Sequence, residues 1–256
     1  MTRSWKYLLF FLLCLVVALV VNLPAGQVLP YLKIPPTVSL SGVKGSVFRG
    51  GVQQGSVGQF PLRDVRYRFK PSCLFVLKVC YQVDYAQGTT RVGYDLINGD
   101  TELSQTRVEY TAAELAPYLP KLMVQPDGRV ELTIEQMTFI AGITAAVNGR
   151  LVWRDLGVTA EGTSLNLGDY QVDFSGNPQK YDFKLDDLEA DLDVDGEGNI
   201  GADGLYRVDV KISSQNTIDP KVKNLLDLFA TTISYNNYRV EQSGRLPNNI
   251  VRQLFR

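Results

Sequence analysis

The sequence predicts a mainly β protein in which an N-terminal transmembrane helix leads into a curved antiparallel β-sheet body with two short helices. Three observations predict it. An uninterrupted apolar run follows a basic start, strict two-residue alternation dominates from Val38 onward, and Gly-, Asn- and Asp-containing dipeptides punctuate the alternating segments. The 256 residues include 26 Lys and Arg, 27 Asp and Glu, three Cys and no His. That length suffices for one large or two small domains.

The apolar run comes first. Arg3 and Lys6 precede it, and no further charge appears until Lys33. Residues 7–21 are apolar throughout, and Trp5 to Pro24 supplies the roughly 20 residues that cross a bilayer core as a helix. Positive charge before the run and none directly after it orient the N-terminus toward the cytoplasm. A cleaved signal peptide is the rival reading, but Val20, Val21 and Leu23 stand where a cleavage site wants small residues. Both readings export residues 26–256. Pro24, Pro30, Pro35 and Pro36 with Gly26 then favour a short stiff linker over a helix. Residues 1–29 are therefore read as cytoplasmic tip and signal-anchor, 30–36 as Pro-rich linker, and 37–256 as the exported β-rich domain.

In that domain Val65, Tyr67 and Phe69 alternate with charges, as do Val130, Leu132 and Ile134. Residues 170–174 and 181–186 repeat the pattern, and Tyr206, Val208, Val210 and Ile212 form its clearest case. Alternation of this kind means strands with one wet face, hence antiparallel sheet. Gly50-Gly51, Asn98-Gly99, Asp127-Gly128, Asn148-Gly149, Gly176-Asn177-Pro178, Asp195-Gly196 and Asp203-Gly204 read as the turns between them. Residues 74–79 are more continuously apolar, the pattern of a strand buried on both faces. Two segments have helical signatures. Thr111 and Glu114 have capping-box spacing ahead of Leu115, and Asp219-Pro220 supplies an N-cap and first-turn proline ahead of Val222, Leu225, Leu226 and Phe229. A break near 111–128 could divide two sub-lobes, although no linker-like composition marks it.

Cys14 lies in the apolar run and reads as a small membrane hydrophobe. Cys73 and Cys80 lie in the exported part, where an isolated pair reads as a candidate disulfide, with two buried free thiols as the alternative. Seven extended steps cover roughly 23 Å, whereas bridged Cα atoms sit about 5.5 Å apart. A bond therefore requires the chain to turn between them, or Cys73 to sit in a loop folded back over the strand.

Composition excludes several chemistries. Without imidazole there is no Ser-His-Asp or Cys-His nucleophile pair and no His metal ligand. Three scattered Cys form no C-x-x-C zinc pair. Residues 1–33 carry three bases and no acid, leaving 23 bases against 27 acids elsewhere, which lacks the basic footprint of nucleic-acid binding. From Asp186 to Asp203, both included, there are eight acids and no base. Asp191-x-Asp193-x-Asp195-Gly196 resembles the start of an EF-hand loop, but Ala202 stands where the bidentate Glu belongs. A strand with Leu188, Leu192 and Val194 inward and its acids solvated is the simpler reading. The glycines of residues 42–51 lack the order of a phosphate-binding loop. Aromatic residues at alternating positions suit a sheet core, or alternatively a lipid groove.

In order, these features resemble the type II secretion system protein N (general secretion pathway protein N) family. The signal-anchor runs into Leu23-Pro24-Ala25, and Val38-Ser-Leu-Ser-Gly42-Val-Lys-Gly45-Ser-Val-Phe48-Arg-Gly50 is similar to the family's "L-x-G-V-x-G-T-V-W-x-G" block. Val65-Arg-Tyr67-Arg-Phe69-Lys-Pro71-Ser-Cys-Leu74 looks like its "V-x-W-x-L-x-P-x-x-L" element. Asn148-Gly149 to Trp153, Leu167-Gly168-Asp-Tyr170, Asp203-Gly204 to Tyr206 and Tyr238 to Leu246 follow in the family's order. Phe48 and Tyr67 stand where Trp is usual. The resemblance implies a single-pass inner-membrane protein with a periplasmic β-rich domain, accessory to export of folded proteins across the outer membrane. It implies no catalytic residues, cofactor or small-molecule substrate, and partners among the inner-membrane and periplasmic components of the apparatus. A fainter likeness to AsmA-like proteins keeps a lipid-binding or lipid-transfer β groove as the alternative.

Overall fold

The computed structural model describes residues 22–28, 38–58, 60–116, 125–140, 143–160, 163–214, 218 and 220–247, together with 5, 7, 8, 10–12, 15 and 19. The chain divides into two compact units, Met1–Leu96 and Ile97–Arg256. The division falls just before the Asn98-Gly99 turn rather than in 111–128.

The sheet of unit 1 is antiparallel, with β1 (Val38–Gly45), β2 (Arg49–Val57), β4 (Val65–Lys70), β5 (Lys78–Tyr85) and β6 (Gly88–Asp95) as neighbours in that order. The short β3 (Phe60–Leu62) pairs with the far half of β2. Alternation in β4 does what the sequence predicts. Val65 is buried, and the rings on its face stack edge-on, Phe48 to Phe69 at 5.3 Å, Phe69 to Tyr81 at 5.6 Å and Tyr67 to Tyr81 at 6.3 Å. Burial raises the hydroxyl pKa of Tyr67 and Tyr81, because a phenolate would lose its hydration there. Arg66, Arg68 and Lys70 take the opposite face of β4.

The transmembrane helix expected from the sequence is not found among the described residues: no helix there is long and apolar enough to cross a membrane. Those described between 5 and 19 are helical, and their apolar side chains are exposed. Cys14 and the linker 30–36 lie outside the described residues. Where a stiff linker is expected to begin, Ala25–Val28 forms one helical turn, α1. Pro24 starts it, accepting from Gln27 N at 3.1 Å, and the segment is stitched to the β1–β2 loop through a Pro24–Ser46 bridge and a Val47 N to Leu23 O bond of 2.9 Å. Ala25 is buried, and the turn packs on β1.

Residues 74–79 do not form the doubly buried strand that their apolar character predicts. Pro71–Val76 is a 3-10 turn with a proline in its first turn, and Leu77 adopts the left-handed conformation (φ 55°) that reverses the chain into β5. Cys73 and Cys80 are bonded with Cα atoms 5.9 Å apart, which an extended chain could not achieve. The staple leaves Leu74, Phe75, Val76 and Leu77 exposed, Phe75 at 92%. Closing so short a loop restrains the unfolded chain, so the C73S/C80S variant should lose about 2–3 kcal/mol. Faster amide exchange in β4 and β5, with unit 2 unchanged, is the expected readout.

Unit 2 is a meander of β7 (Thr101–Thr111), β8 (Gln125–Ile140), β9 (Ile143–Ala160), β10 (Thr163–Asn177), β11 (Lys180–Ala190), β12 (Asp193–Gly201) and β13 (Leu205–Ser213). β15 (Asn237–Arg245) pairs with β13, and β14 (Thr231–Ser234) forms the edge. Both expected helices are present. In α2 (Ala112–Leu115) the Thr111 hydroxyl accepts from Glu114 N, and the Glu114 carboxylate accepts from Thr111 N, a complete capping box. The second, α3 (Pro220–Phe229), presses Val222 and Leu226 onto the sheet, while its expected N-cap Asp219 lies outside the described residues. The core there joins Leu192, Val194, Ile218, Val222 and Tyr238, with Tyr170, Leu185, Val210 and Ile212 packed around it.

Four of the expected turns prove to be strand interior. Gly50-Gly51, Asp127-Gly128, Asn148-Gly149 and Asp195-Gly196 lie within β2, β8, β9 and β12. Gly128 marks a bulge with φ +103°. The others reflect space rather than turning: in register, Gly50 opposes Tyr67, Gly149 opposes Phe174 and Gly196 opposes Leu185 and Val210, and rings likewise face Gly176 (Tyr181), Gly198 (Phe183) and Gly244 (Tyr206). Each ring occupies the volume a Cβ on its partner would need.

Candidate functional site

The charged face of unit 2 is built by register. Arg150, Asp173, Lys184, Glu197, Asp209 and Glu241 stand opposite one another in one row across β9, β10, β11, β12, β13 and β15. The adjacent row is Val152, Gln171, Asp186, Asp195, Lys211 and Arg239. Curvature of the sheet turns this face into an open groove of about 1160 Å³, with Asn148, Asp173, Lys184, Glu197, Arg207 and Glu241 in its lining.

Ion pairs lace it. Arg150 Nε donates to Asp173 Oδ1 at 2.6 Å, and Gln171 Nε2 donates to Asp173 Oδ2 at 2.8 Å. Arg239 grips Asp209 through two bonds, 2.8 and 2.6 Å, and also reaches Glu241 at 2.8 Å. Arg154 spans Glu131 at 3.0 Å and Asp169 at 3.3 Å. The bond from Arg150 holds the Asp173 carboxyl below the usual carboxylate range, with desolvation opposing it, and Arg239 does the same for Asp209. A depressed folded pKa contributes stability above the ordinary aspartate value of about 3.9, and that contribution is lost as pH falls through the folded value.

The acid-rich segment sits in this scaffold. Asp193, Asp195 and Glu197 alternate outward along β12, while Leu192 and Val194 point into the core as expected. Leu188 does not: a bulge where Tyr170 pairs with Asp187 turns it outward, 49% exposed. Asp187 accepts from Val194 N at 2.7 Å, tying β11 to β12. Its charge and that of Asp191 add to burial in pushing the Tyr170 hydroxyl up to about 12, and that hydroxyl donates to Leu167 O at 3.0 Å. Among the described residues, no group of three or more Cys, Asp or Glu converges to hold a metal ion. Two aromatics, Phe174 and Phe183, reach the groove beside its charged residues. Most of the lining is charged or polar, and Phe174, Phe183 and Tyr206 pack their rings over Gly149, Gly198 and Gly244 of neighbouring strands.

The second surface is the disulfide-stapled turn of unit 1. The two units differ sharply in charge: residues 1–96 hold eleven Lys and Arg against three Asp and Glu, residues 97–256 fifteen against 24. Sequence reading divided the charge at residue 33 instead, because only the contact boundary shows that Arg49 to Arg91 belong with the basic start.

Two antiparallel β units with patterned charge and exposed apolar elements define a protein of the mainly β class. A family model of the type II secretion system (T2SS) protein N matches residues 36–241. The chain belongs to that family, and is therefore a component of type II secretion whose membership implies contact with other components of the system. It is similar to the type II secretion system protein N of Vibrio cholerae serotype O1, 22% identical over 256 residues, covering 96% of this chain and 100% of the relative. No solved structure matches.

Proposed function

We propose that this chain is an accessory inner-membrane component of the secretion apparatus that contributes to export across the outer membrane through protein–protein contacts of a periplasmic domain, without catalysis of its own. The observation that carries this reading is the family match across both units, 36–241. The apolar run 7–21 supports a single-pass anchor with a cytoplasmic N-terminus, since Arg3 and Lys6 precede it and the apolar side chains of its described residues are exposed. The ladder face supports docking: it is rich in fixed carboxylates, and Asp195 and Glu197 have no ion pair among the described residues. A charged face of this kind favours a basic partner surface through steering and register. The lipid-groove alternative is not favoured, given the family.

Affinity capture of the full-length chain from detergent-solubilised membranes tests the reading. Components of the secretion platform should co-purify, and D195K/E197K should reduce their recovery several-fold without unfolding the sheet. Recovery of none of them by the wild-type chain would refute the proposal.

A further inference from the structure

We propose that one end of unit 1 rests on the membrane: the stapled turn 71–77 inserts Leu74, Phe75, Val76 and Leu77 into the interface of an anionic phospholipid bilayer. This rests on the anchored reading above, and adds a second membrane contact outside the anchor.

Strand direction places the parts. The β1–β2 loop, the end of β4, the start of β5 and the end of β6 all lie at one end of the unit 1 sheet. The chain arriving from the apolar run is stitched to that same end, through Val47 N to Leu23 O and the Pro24–Ser46 bridge. Phe69 N, donating to Phe48 O at 2.7 Å, connects that loop to the strand from which the turn projects. An anchor ending near Leu23 thus leaves little chain between the bilayer and this end of the sheet. The turn carries four consecutive exposed apolar side chains, and Tyr94 and Leu96 lie beside it, exposed as well, with Leu96 N donating to Leu77 O at 3.0 Å. Such clustering marks an interaction surface rather than scattered surface apolarity.

Charge selects the partner. Lys44, Arg49, Arg68, Lys70 and Lys78 lie toward this end, where Asp95 is the one acid among the described residues, whereas Asp64 and Asp84 lie at the far end. Arg49, Arg68 and Lys70 have no ion pair among the described residues. Lys70 and Lys78 bracket the apolar turn, so their stems can follow it while the ammonium groups remain with lipid phosphates. A rigid apolar tip within a basic ring is the arrangement that holds an element in the interface plane, since apolar burial and attraction to anionic lipid add.

The test uses the full chain carrying W5F and F75W, reconstituted into phosphatidylcholine vesicles with or without phosphatidylglycerol, with lipids brominated at shallow acyl positions. The W5F parent supplies the background from Trp153. In anionic vesicles the added indole should shift to the blue and be quenched more than about twofold by brominated lipid, weakening in high salt as screening predicts. K44E/K70E should diminish that quenching, and far-UV circular dichroism should show the sheet intact. An indole with the same emission and no quenching in either vesicle overturns the proposal, as does protection of the turn by a protein partner alone. Resistance to alkaline carbonate extraction reports the anchor separately. Extraction with quenching intact would remove the anchor and leave the turn, whereas resistance without quenching would do the reverse.

Discussion

Replacing Gly149 with valine should destabilise unit 2 by about 3 kcal/mol, the upper part of the range for overpacking. A Cβ at this position would sit 2.6 Å from the Phe174 ring and 2.7 Å from the Thr133 carbonyl oxygen, so it meets both a side chain and the backbone of β8. Phe174 cannot swing away without leaving its own row between Gly149 and Phe183, and Thr133 O belongs to the sheet ladder. A second change that shrinks the ring, F174L, should therefore recover only part of the loss. Gly176 provides the contrast, because the three nearest atoms to its Cβ all belong to the Tyr181 side chain. G176V should be largely rescued by Y181T. Urea unfolding of the four single and two double variants measures both. Equal rescue at the two positions would show that ring volume, and not the neighbouring backbone, sets the cost.

Tyr238→Ala should cost about 3–5 kcal/mol, in the range of large aromatic truncations in a core. Tyr238 is 2% exposed, the lowest in the cluster it shares with Leu192, Val194, Ile218 and Val222. It lies opposite Ile212 on one side and Thr232 on the other, so its ring supports both α3 and the edge formed by β14. Truncation should therefore loosen α3 and β14–β15 first, visible as faster amide exchange there, with β8 and β9 retained. Tyr238→Phe keeps the ring and should stay within about 1 kcal/mol of the wild type.

Much of this architecture is legible in the sequence. Period-two alternation locates β4, β8, β10, β11 and β13, since a half-buried strand must alternate whatever its neighbours are. Thr111 and Glu114 announce α2 for a similarly local reason: capping involves groups three residues apart. The inward face of β13, with Tyr206, Val208, Val210 and Ile212 half-buried, follows from the same pattern. Glycine was harder to read. Asn148-Gly149 looks like a hairpin turn because a residue that permits positive φ and a residue that leaves room for a ring are the same letter. Only the partner strand distinguishes them. The exposed turn 71–77 was illegible for a related reason, since continuous apolarity ordinarily means burial on both faces, and the staple to Cys80 overrides it.

The candidate surfaces divide likewise. The acids from Asp186 to Asp203 announce an electrostatic feature, but not that Arg150, Lys184 and Arg239 come from other strands to form a ladder with them. By itself the sequence determined the β class, the outward and inward faces of its strands, the anchor-like N-terminus as an expectation, and the resemblance on which family membership rests. These depend on interactions within a few residues or on motif order. Tertiary structure alone decided the boundary at Leu96, the pairing of glycines with rings, the joining of Cys73 to Cys80, and the meeting of an apolar turn with a basic sheet end. Each depends on which distant segments share a register, and strand pairing sets that through the whole unit.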